Sequence, residues 1–242
     1  MKLSIGLLTL SASLASVIGY PSSQHVLFVP SGTNATDLDG REPVDFHDPR
    51  AGGGRQFTQT PWGAEPLNVI ISGRSDPRIL SDVGIVSYIG SLGFEAECLN
   101  QHFGDRQLAD LGDGRGLREE RFEVRQAYVK VIGTCIESVV GGSHLRAYRQ
   151  DGPLARSDAW FLAVSVERSA RHNHAIRADG YNLGRDQLVR SALHGTRWKH
   201  LAYSSTAEFV ELLRPGSHGF AHGIAQDGRV AVLTAHISDD LA

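Results

Sequence analysis

The sequence lacks an apolar run long enough to cross a membrane, which takes about 20 predominantly apolar residues. Its longest apolar stretch, Leu3–Val17, follows Lys2, is interrupted by serines, and ends close to small residues such as Gly19. This pattern is typical of a secretory signal peptide. We therefore predict a signal peptide over residues 1–19, a secreted mature chain and no membrane span.

An excess of basic residues is also lacking, because 24 Lys and Arg accompany 27 Asp and Glu and the formal net charge is −3. Proteins that bind the nucleic-acid backbone carry a clustered positive charge, so no nucleic-acid partner is predicted. Histidine, in contrast, occurs 11 times. Two interpretations stay open for these histidines: a surface whose charge depends on pH, or a scatter that reflects composition alone.

Cysteine is scarce, since the 242 residues contain only Cys98 and Cys135. In a chain directed to an oxidising compartment, two cysteines favour one disulfide bond, and two free thiols are the alternative. The bridge would close a loop of about 37 residues and contribute about 3–4 kcal/mol in the chain-entropy model. The sequon at Asn34 predicts N-glycosylation, which would make the mature protein a glycoprotein.

Sustained periodicity is lacking between residues 20 and 65, where Pro, Gly, Asp and Arg are abundant. Such a composition predicts a disordered leader or pro-segment. The folded domain is predicted over residues 66–238 and begins with a β-branched run at 67–72, which is typical of a buried strand.

Secondary-structure signals continue along this domain. Asp76 as N-cap and Pro77 as first helical residue predict one amphipathic helix that ends near Gly93. The elements predicted after it are a strand at 94–99 parallel to the first, a surface loop at 100–116, one or two helices within 119–140, and a final pair of strands at 198–203 and 229–237. The sequence therefore predicts a single α/β (α+β) domain with a mixed sheet of six or seven strands and about three helices.

Two alternating stretches, 144–148 and 161–167, predict a β-hairpin. If the connecting loop spans about ten residues, His144 lies opposite Ser165 and Arg146 opposite Ala163. One face of the hairpin then carries His144, Arg146, Ser165 and Glu167, and the other face has the composition of a core.

Further polar residues follow the hairpin. His172 and His174 are predicted to share one face of a third short strand. Asn182 is predicted to cap the next helix, with Arg185 and Asp186 in its first turn. The helix dipole favours Asp186 there but not Arg185, so Arg185 requires another explanation, such as a buried carboxylate or a bound anion.

Histidine pairs raise the possibility of a metal site, at His172 with His174 or at His218 with His222. Two histidines four residues apart bind a metal from one face of a helix, and the glycines around His218 and His222 disfavour a helix. The alternative is that these histidines are hydrogen-bonded at strand ends. We therefore predict no metal and no cofactor.

The central polar residues are compatible with a hydrolase or transferase that acts on an ester or phosphate. In that hypothesis His144 is the general base, Ser165 is a nucleophile and His174 is a further member of the site. Arg146 and Arg185 bind a small anionic ligand. Asp186 or Glu167 orients His144. No Gly-x-Ser-x-Gly motif accompanies Ser165. The alternatives are a structural ion-pair network, a non-catalytic secreted interaction or effector module, and an accessory protein of a natural-product pathway in the secretory lumen.

A family resemblance rests on a spaced pattern of residues: His144, Arg146, Tyr148, Trp160, His174, Ile176, Arg185 and Asp186. This pattern resembles the C-terminal domain of the LssY family over roughly residues 66–195. The runs PLNVIISG, GFEAECL, AWFLAVS, GYNLGRD and HGIAQDGRVAVLT are similar to those of a group of uncharacterised secreted fungal proteins. Both resemblances imply a fold, and neither implies a particular reaction.

Overall fold

The computed structural model describes residues 42–60, 63–100, 105–129 and 133–238. The predicted signal peptide and the sequon at Asn34 lie outside the described residues. Ten strands and four α-helices occur in the described chain: β1 (Leu67–Ile71), α1 (Pro77–Leu80), α2 (Asp82–Ser91), β2 (Phe94–Ala96), β3 (Leu108–Ala109), β4 (Arg118–Glu119), β5 (Phe122–Gln126), α3 (Gly133–Val140), β6 (Ser143–Arg149), β7 (Trp160–Val166), α4 (Gly180–Leu193), β8 (Thr196–Trp198), β9 (Leu201–Glu211) and β10 (Arg229–Ser238).

Eight strands form one mixed sheet in the order β2-β5-β6-β7-β1-β10-β9-β8, and β3 pairs with β4 in a separate small sheet. Neighbouring strands are antiparallel except β1 and β10, which run parallel. The predicted α/β (α+β) class is confirmed, but the predicted counts of strands and helices were too low. Several of the additional strands have only two or three residues, which is too short for periodicity to reveal.

The central pairing of β1 with β7 contains a bulge at Asn68. Its side-chain Nδ2 donates hydrogen bonds to the carbonyls of Val164 and Tyr181, both at 2.9 Å, and its Oδ1 accepts one from the Val164 amide at 3.0 Å. A bulge leaves an extra residue outside the regular ladder. The Asn68 amide fills that gap and also attaches the first turn of α4 to the sheet.

One face of the sheet is apolar and is covered by α1, α2 and α4. Trp160 of β7 is buried on this face, and its indole N–H donates a hydrogen bond of 3.0 Å to the carbonyl of Leu80 at the end of α1. The last carbonyls of a helix lack helical partners, so this bond fixes α1 to the sheet.

The opposite face carries a second apolar cluster that includes Ile70 and Phe161. Segments without regular structure cover it, among them part of the predicted leader. Within that part, Phe46 packs edge-to-face against Phe161 with ring centroids 6.1 Å apart, and Asp45 accepts a hydrogen bond of 2.7 Å from Ser72. The Pro- and Gly-rich composition from residue 42 onward thus accommodates an extended chain that a few side chains anchor to the sheet.

Two predicted elements differ in the structure. The helix predicted from Pro77 to Gly93 is divided at Ser81, which has an extended backbone and caps α2 by accepting a hydrogen bond from the Gly84 amide. The region predicted as one or two helices within 119–140 contains β5 before α3. Alternation of apolar Phe122 and Val124 with charged neighbours gives β5 its strand period.

The predicted disulfide is confirmed, because Cys98 is bonded to Cys135. It connects a 3-10 turn at Cys98–Asn100, which follows β2, to α3. Within the residues that the structure describes, no helix is long and apolar enough to span a membrane.

Candidate functional site

β6 and β7 form the predicted hairpin, and its predicted register is confirmed. His144 lies opposite Ser165, and Arg146 lies opposite Ala163. Because side chains alternate across a strand, His144, Arg146 and Ser165 share the face opposite the one that α1, α2 and α4 cover. His144 and Ser165 are 1% and 2% exposed, so the hairpin places its polar chemistry inside the protein.

β5 adds two charged residues to this face, since Glu123 lies opposite Arg146 and Arg125 opposite His144. Four carboxylates from outside β5 and β6 lie beside these residues, those of Glu65, Glu120, Glu137 and Glu167. We define the ionic cluster as Glu65, Glu120, Glu123, Arg125, Glu137, His144, Arg146 and Glu167. The ionic cluster thus contains five carboxylates but only two guanidinium groups and one imidazole.

Both ring nitrogens of His144 lie beside carboxylates. Nε2 is 2.9 Å from Glu123, and Nδ1 is 3.5 Å from Glu167 and 3.3 Å from Oγ of Ser165. Burial lowers the pKa of His144, but the charges of Glu167 and Glu123 outweigh burial and raise the pKa above its usual value. The two carboxylates therefore favour the imidazolium form of His144, and an imidazolium cannot accept the Ser165 proton.

Arg146 is enclosed by carboxylates on three sides. Its Nη1 lies 2.9 Å from each oxygen of Glu120 and contacts Glu123, and its Nε lies 3.6 Å from Glu65. Although burial raises the pKa of Glu123, His144 and the two arginines lower it to about 2. Burial dominates at Glu65 and raises the pKa of that carboxyl. The guanidinium group of Arg146 is thus occupied by contacts within the protein.

Glu137 of α3 is the least compensated member of the ionic cluster. Its side chain is fully buried, and neither carboxylate oxygen has a hydrogen-bond partner in the described chain. One of the two oxygens lies 3.5 Å from Nη1 of Arg125. Burial raises the pKa of Glu137 to about 7. Folding therefore favours the protonated form of this side chain.

Replacement of Glu137 by glutamine is expected to stabilise the protein at pH 8 and to have little effect at pH 4. The folded pKa is raised, so the stability that protonated Glu137 provides is complete below pH 4.5 and is lost as the pH rises to about 7. Partial screening reduces the effect to about 1–2 kcal/mol. Urea unfolding across this range measures it, with the exposed Glu119→Gln as control. A constant difference at all pH values would contradict the assignment.

His174 lies at the margin of the ionic cluster, with Nδ1 3.4 Å from Glu167. The predicted third strand through His172 and His174 was wrong. Ala170–His172 forms a 3-10 turn, and both Asn173 and His174 have positive φ angles. A left-handed backbone at two successive residues cannot continue a strand, so the two histidines do not share a strand face.

Arg185 and Asp186 belong to a different part of the structure. Arg185 is 1% exposed, donates two hydrogen bonds to Asp227 at 2.6 and 2.9 Å, and donates one to Asp186 at 2.8 Å. Of the two explanations predicted for Arg185, a buried carboxylate or a bound anion, the structure provides a carboxylate, that of Asp227. The predicted helix start at Asn182 was wrong, because α4 begins at Gly180 and places Arg185 beyond its first turn.

A cavity of about 660 Å³ lies beside the ionic cluster, where β5 and β7 end and β6 begins. We call it the strand-end cavity. Its polar wall includes Gln126, Ser143, Glu167, Arg168, His172, Arg177 and Gln187, and its apolar wall includes Leu92, Phe94, Tyr128, Val140, Val166 and Leu188. Neither His144 nor Ser165 lines it. Glu167 is the residue that belongs to both the ionic cluster and the cavity.

Two arginines of the strand-end cavity differ from the arginines of the ionic cluster. Arg168 and Arg177 are exposed, and in the described chain neither has a carboxylate within ion-pair distance. The side chain of His172, at the same cavity, has one hydrogen bond within the described chain, at 3.0 Å to Oγ of Ser169. Among the described residues, the cavity therefore presents two arginines without ion-pair partners.

Several of these residues were not predicted from the sequence. Glu123 and Arg125 lie on a strand that was predicted as helix, although the alternation at 122–126 was a usable signal. Glu65 lies in the predicted leader, and Glu137 gives no local signal of burial. Arg168 and Arg177 could have been found as basic residues on either side of the predicted histidine pair.

Among the described residues, no group of three or more His, Cys, Asp or Glu side chains is arranged to hold a metal ion. Comparison of the chain with protein-family models, with curated proteins and with solved structures gives no match. Functional inference is therefore based on the geometry of the ionic cluster and of the strand-end cavity.

Proposed function

We propose that this protein binds a small organic oxyanion, a phosphate or a carboxylate, in the strand-end cavity and acts on it as a hydrolase- or transferase-like enzyme. The observation that carries the proposal is that Arg168 and Arg177, at the cavity, have no ion-pair partner among the described residues. Guanidinium groups match the geometry of both oxyanions. A volume of about 660 Å³ also suits a small molecule.

Glu167 is the side chain that we propose for proton transfer. Its carboxylate lines the cavity and lies 2.8 Å from Nη1 of Arg125 and 3.4 Å from Nδ1 of His174. During hydrolysis of a phosphate ester, water would bond to phosphorus and give its proton to Glu167 as the bond to the alcohol oxygen breaks. Glu167 would then return a proton to the departing alcohol. In this scheme Arg125 and His144 position Glu167. Arg146, which contacts Glu65, Glu120 and Glu123, does not contact the substrate.

Binding is tested by calorimetry with phenyl phosphate and with benzoate. Arg177→Ala is expected to weaken binding of either probe about 10–100-fold, because a hydrogen bond to a charged group contributes about 1.5–3 kcal/mol. The matched control is Arg197→Ala, since Arg197 is exposed on β8 and has no carboxylate partner in the described chain. If neither probe bound at millimolar concentration, the proposal would be wrong.

Turnover is tested separately with p-nitrophenyl phosphate. Glu167→Gln is expected to lower kcat about 10²–10⁴-fold while phenyl phosphate still binds, as is usual for a general acid or base. Equal turnover by the variant and the natural chain would remove Glu167 from the chemistry and leave a binding function.

We also propose that the protein is secreted and that Asn34 is glycosylated. The apolar run Leu3–Val17 supports secretion, and the disulfide between Cys98 and Cys135 is of a kind that persists in oxidising compartments. Membership of the secreted fungal group, with its likeness to the LssY domain, stays a proposal that rests on the sequence runs.

A further inference from the structure

α3 presents an apolar face to the surface. Ile136, Val139 and Val140 are spaced three and four residues apart, which places them on one side of the helix. Their exposed fractions are 36%, 64% and 54%. Tyr128, which precedes α3, is 45% exposed and adds its ring to the same region. Isolated exposed apolar residues are common, but a contiguous group of this kind usually marks a contact.

This face continues into the strand-end cavity, because Val140 and Tyr128 also line its wall. Inside the cavity, Phe94 and Leu188 extend the apolar surface. Arg168 and Arg177 supply positive charge to the same cavity. The arrangement is thus amphipathic, with positive charge in the cavity and an apolar path that leads out over α3.

We propose that the oxyanion bound in the strand-end cavity carries an apolar tail, and that the tail lies along Tyr128, Val140 and the exposed face of α3. The ligand class is a single-chain anionic amphiphile, such as an alkyl phosphate or a fatty acid. This inference rests on the proposed function, because it requires the same two arginines to hold the oxyanion. A ligand of this class complements both the positive charge of the arginines and the apolar path. A neutral lipid would complement the apolar path alone.

Calorimetry with three probes below their aggregation concentrations tests the inference: methyl phosphate, octyl phosphate and octanol. Octyl phosphate is expected to bind at least tenfold more tightly than methyl phosphate, because each buried methylene adds favourable transfer free energy. Octanol is expected to bind at least tenfold more weakly than octyl phosphate. Val140→Ser is expected to remove most of the difference between the two phosphates.

Val83→Ser is the matched control for this variant, because Val83 is a valine of α2 that is 79% exposed and does not line the cavity. It should leave both phosphate affinities unchanged. Urea unfolding of the two variants shows whether each is folded. If Val140→Ser is not folded, the comparison of the three probes on the natural chain decides whether the apolar tail contributes to binding.

The remaining outcomes separate this inference from the proposed function. Equal binding of methyl and octyl phosphate would overturn the tail and leave oxyanion binding intact. If octanol bound as tightly as octyl phosphate, or if no probe bound, both proposals would be wrong. Binding to anionic lipid vesicles without binding of octyl phosphate would show that the apolar face contacts a membrane surface, which would overturn the inference.

Discussion

Replacing Arg146 by methionine is expected to lower the free energy of unfolding by about 3–5 kcal/mol at pH 7, as measured by urea unfolding. Arg146 is the cation shared by Glu120, Glu123 and Glu65, and methionine preserves most of its volume while removing the charge. Three buried carboxylates would lose a cationic partner. The loss is expected to shrink as the pH falls, because protonation removes the charges that Arg146 compensates.

The matched control is Arg118→Met on β4, where the arginine is exposed and has no carboxylate partner in the described chain. Its effect should stay within about 0.5 kcal/mol. A loss below about 1 kcal/mol for Arg146→Met would mean that water reaches the ionic cluster. In that event the catalytic roles predicted for His144, Arg146 and Ser165 would regain support, whereas the expected large loss favours the structural network.

Replacing Asn68 by leucine is expected to destabilise the protein by about 3–5 kcal/mol, because it removes hydrogen bonds to three backbone groups in the interior, each worth about 1–3 kcal/mol. These are the amide and the carbonyl of Val164 and the carbonyl of Tyr181. Leucine keeps the branching and the number of side-chain heavy atoms of asparagine, so the effect reports mainly on the lost hydrogen bonds. Urea unfolding provides the measurement.

Asn68→Asp is the companion variant, since aspartate can still accept from the Val164 amide but cannot donate when ionised. Its destabilisation should be at least as large at pH 7 and should decrease at low pH, where the protonated carboxyl can donate once more. A leucine variant that loses less than 1 kcal/mol would indicate that the bulge moves and that the ladder re-forms without the Asn68 side chain.

The local part of the site could be predicted from the sequence. Two strands with a period of two and a loop of known length allow few registers, and the register that pairs His144 with Ser165 was correct. The disulfide was predictable for a similar reason, because two cysteines offer a single pairing. In both cases the number of alternatives was small.

The remainder of the ionic cluster depends on contacts between distant segments, which composition and periodicity do not reveal. β5 spans only five residues, and an apolar pattern of that length fits a strand or a helix equally well. Glu65 comes from a segment whose composition indicated disorder. The unpaired state of Arg168 and Arg177 is likewise a property of their surroundings and not of their sequence.

Arg185 shows how much of a contact between distant segments the sequence can predict. Its position in the chain indicated that it needed an acidic partner, and the structure provides Asp227, 42 residues away. Chemistry could identify the kind of partner, but only the pairing of β9 with β10 determines which aspartate reaches it.

The parallel pairing of β1 with β10 also determines when this protein can fold. Val69 pairs with Ala231, and the strands between them in sequence fill both halves of the sheet. During synthesis, β1 must therefore wait for β10 to leave the ribosome before its second edge is paired. Domains dominated by such distant contacts fold slowly, and an open strand edge invites pairing with other chains. The nascent chain is thus most vulnerable to aggregation before its last described strand emerges.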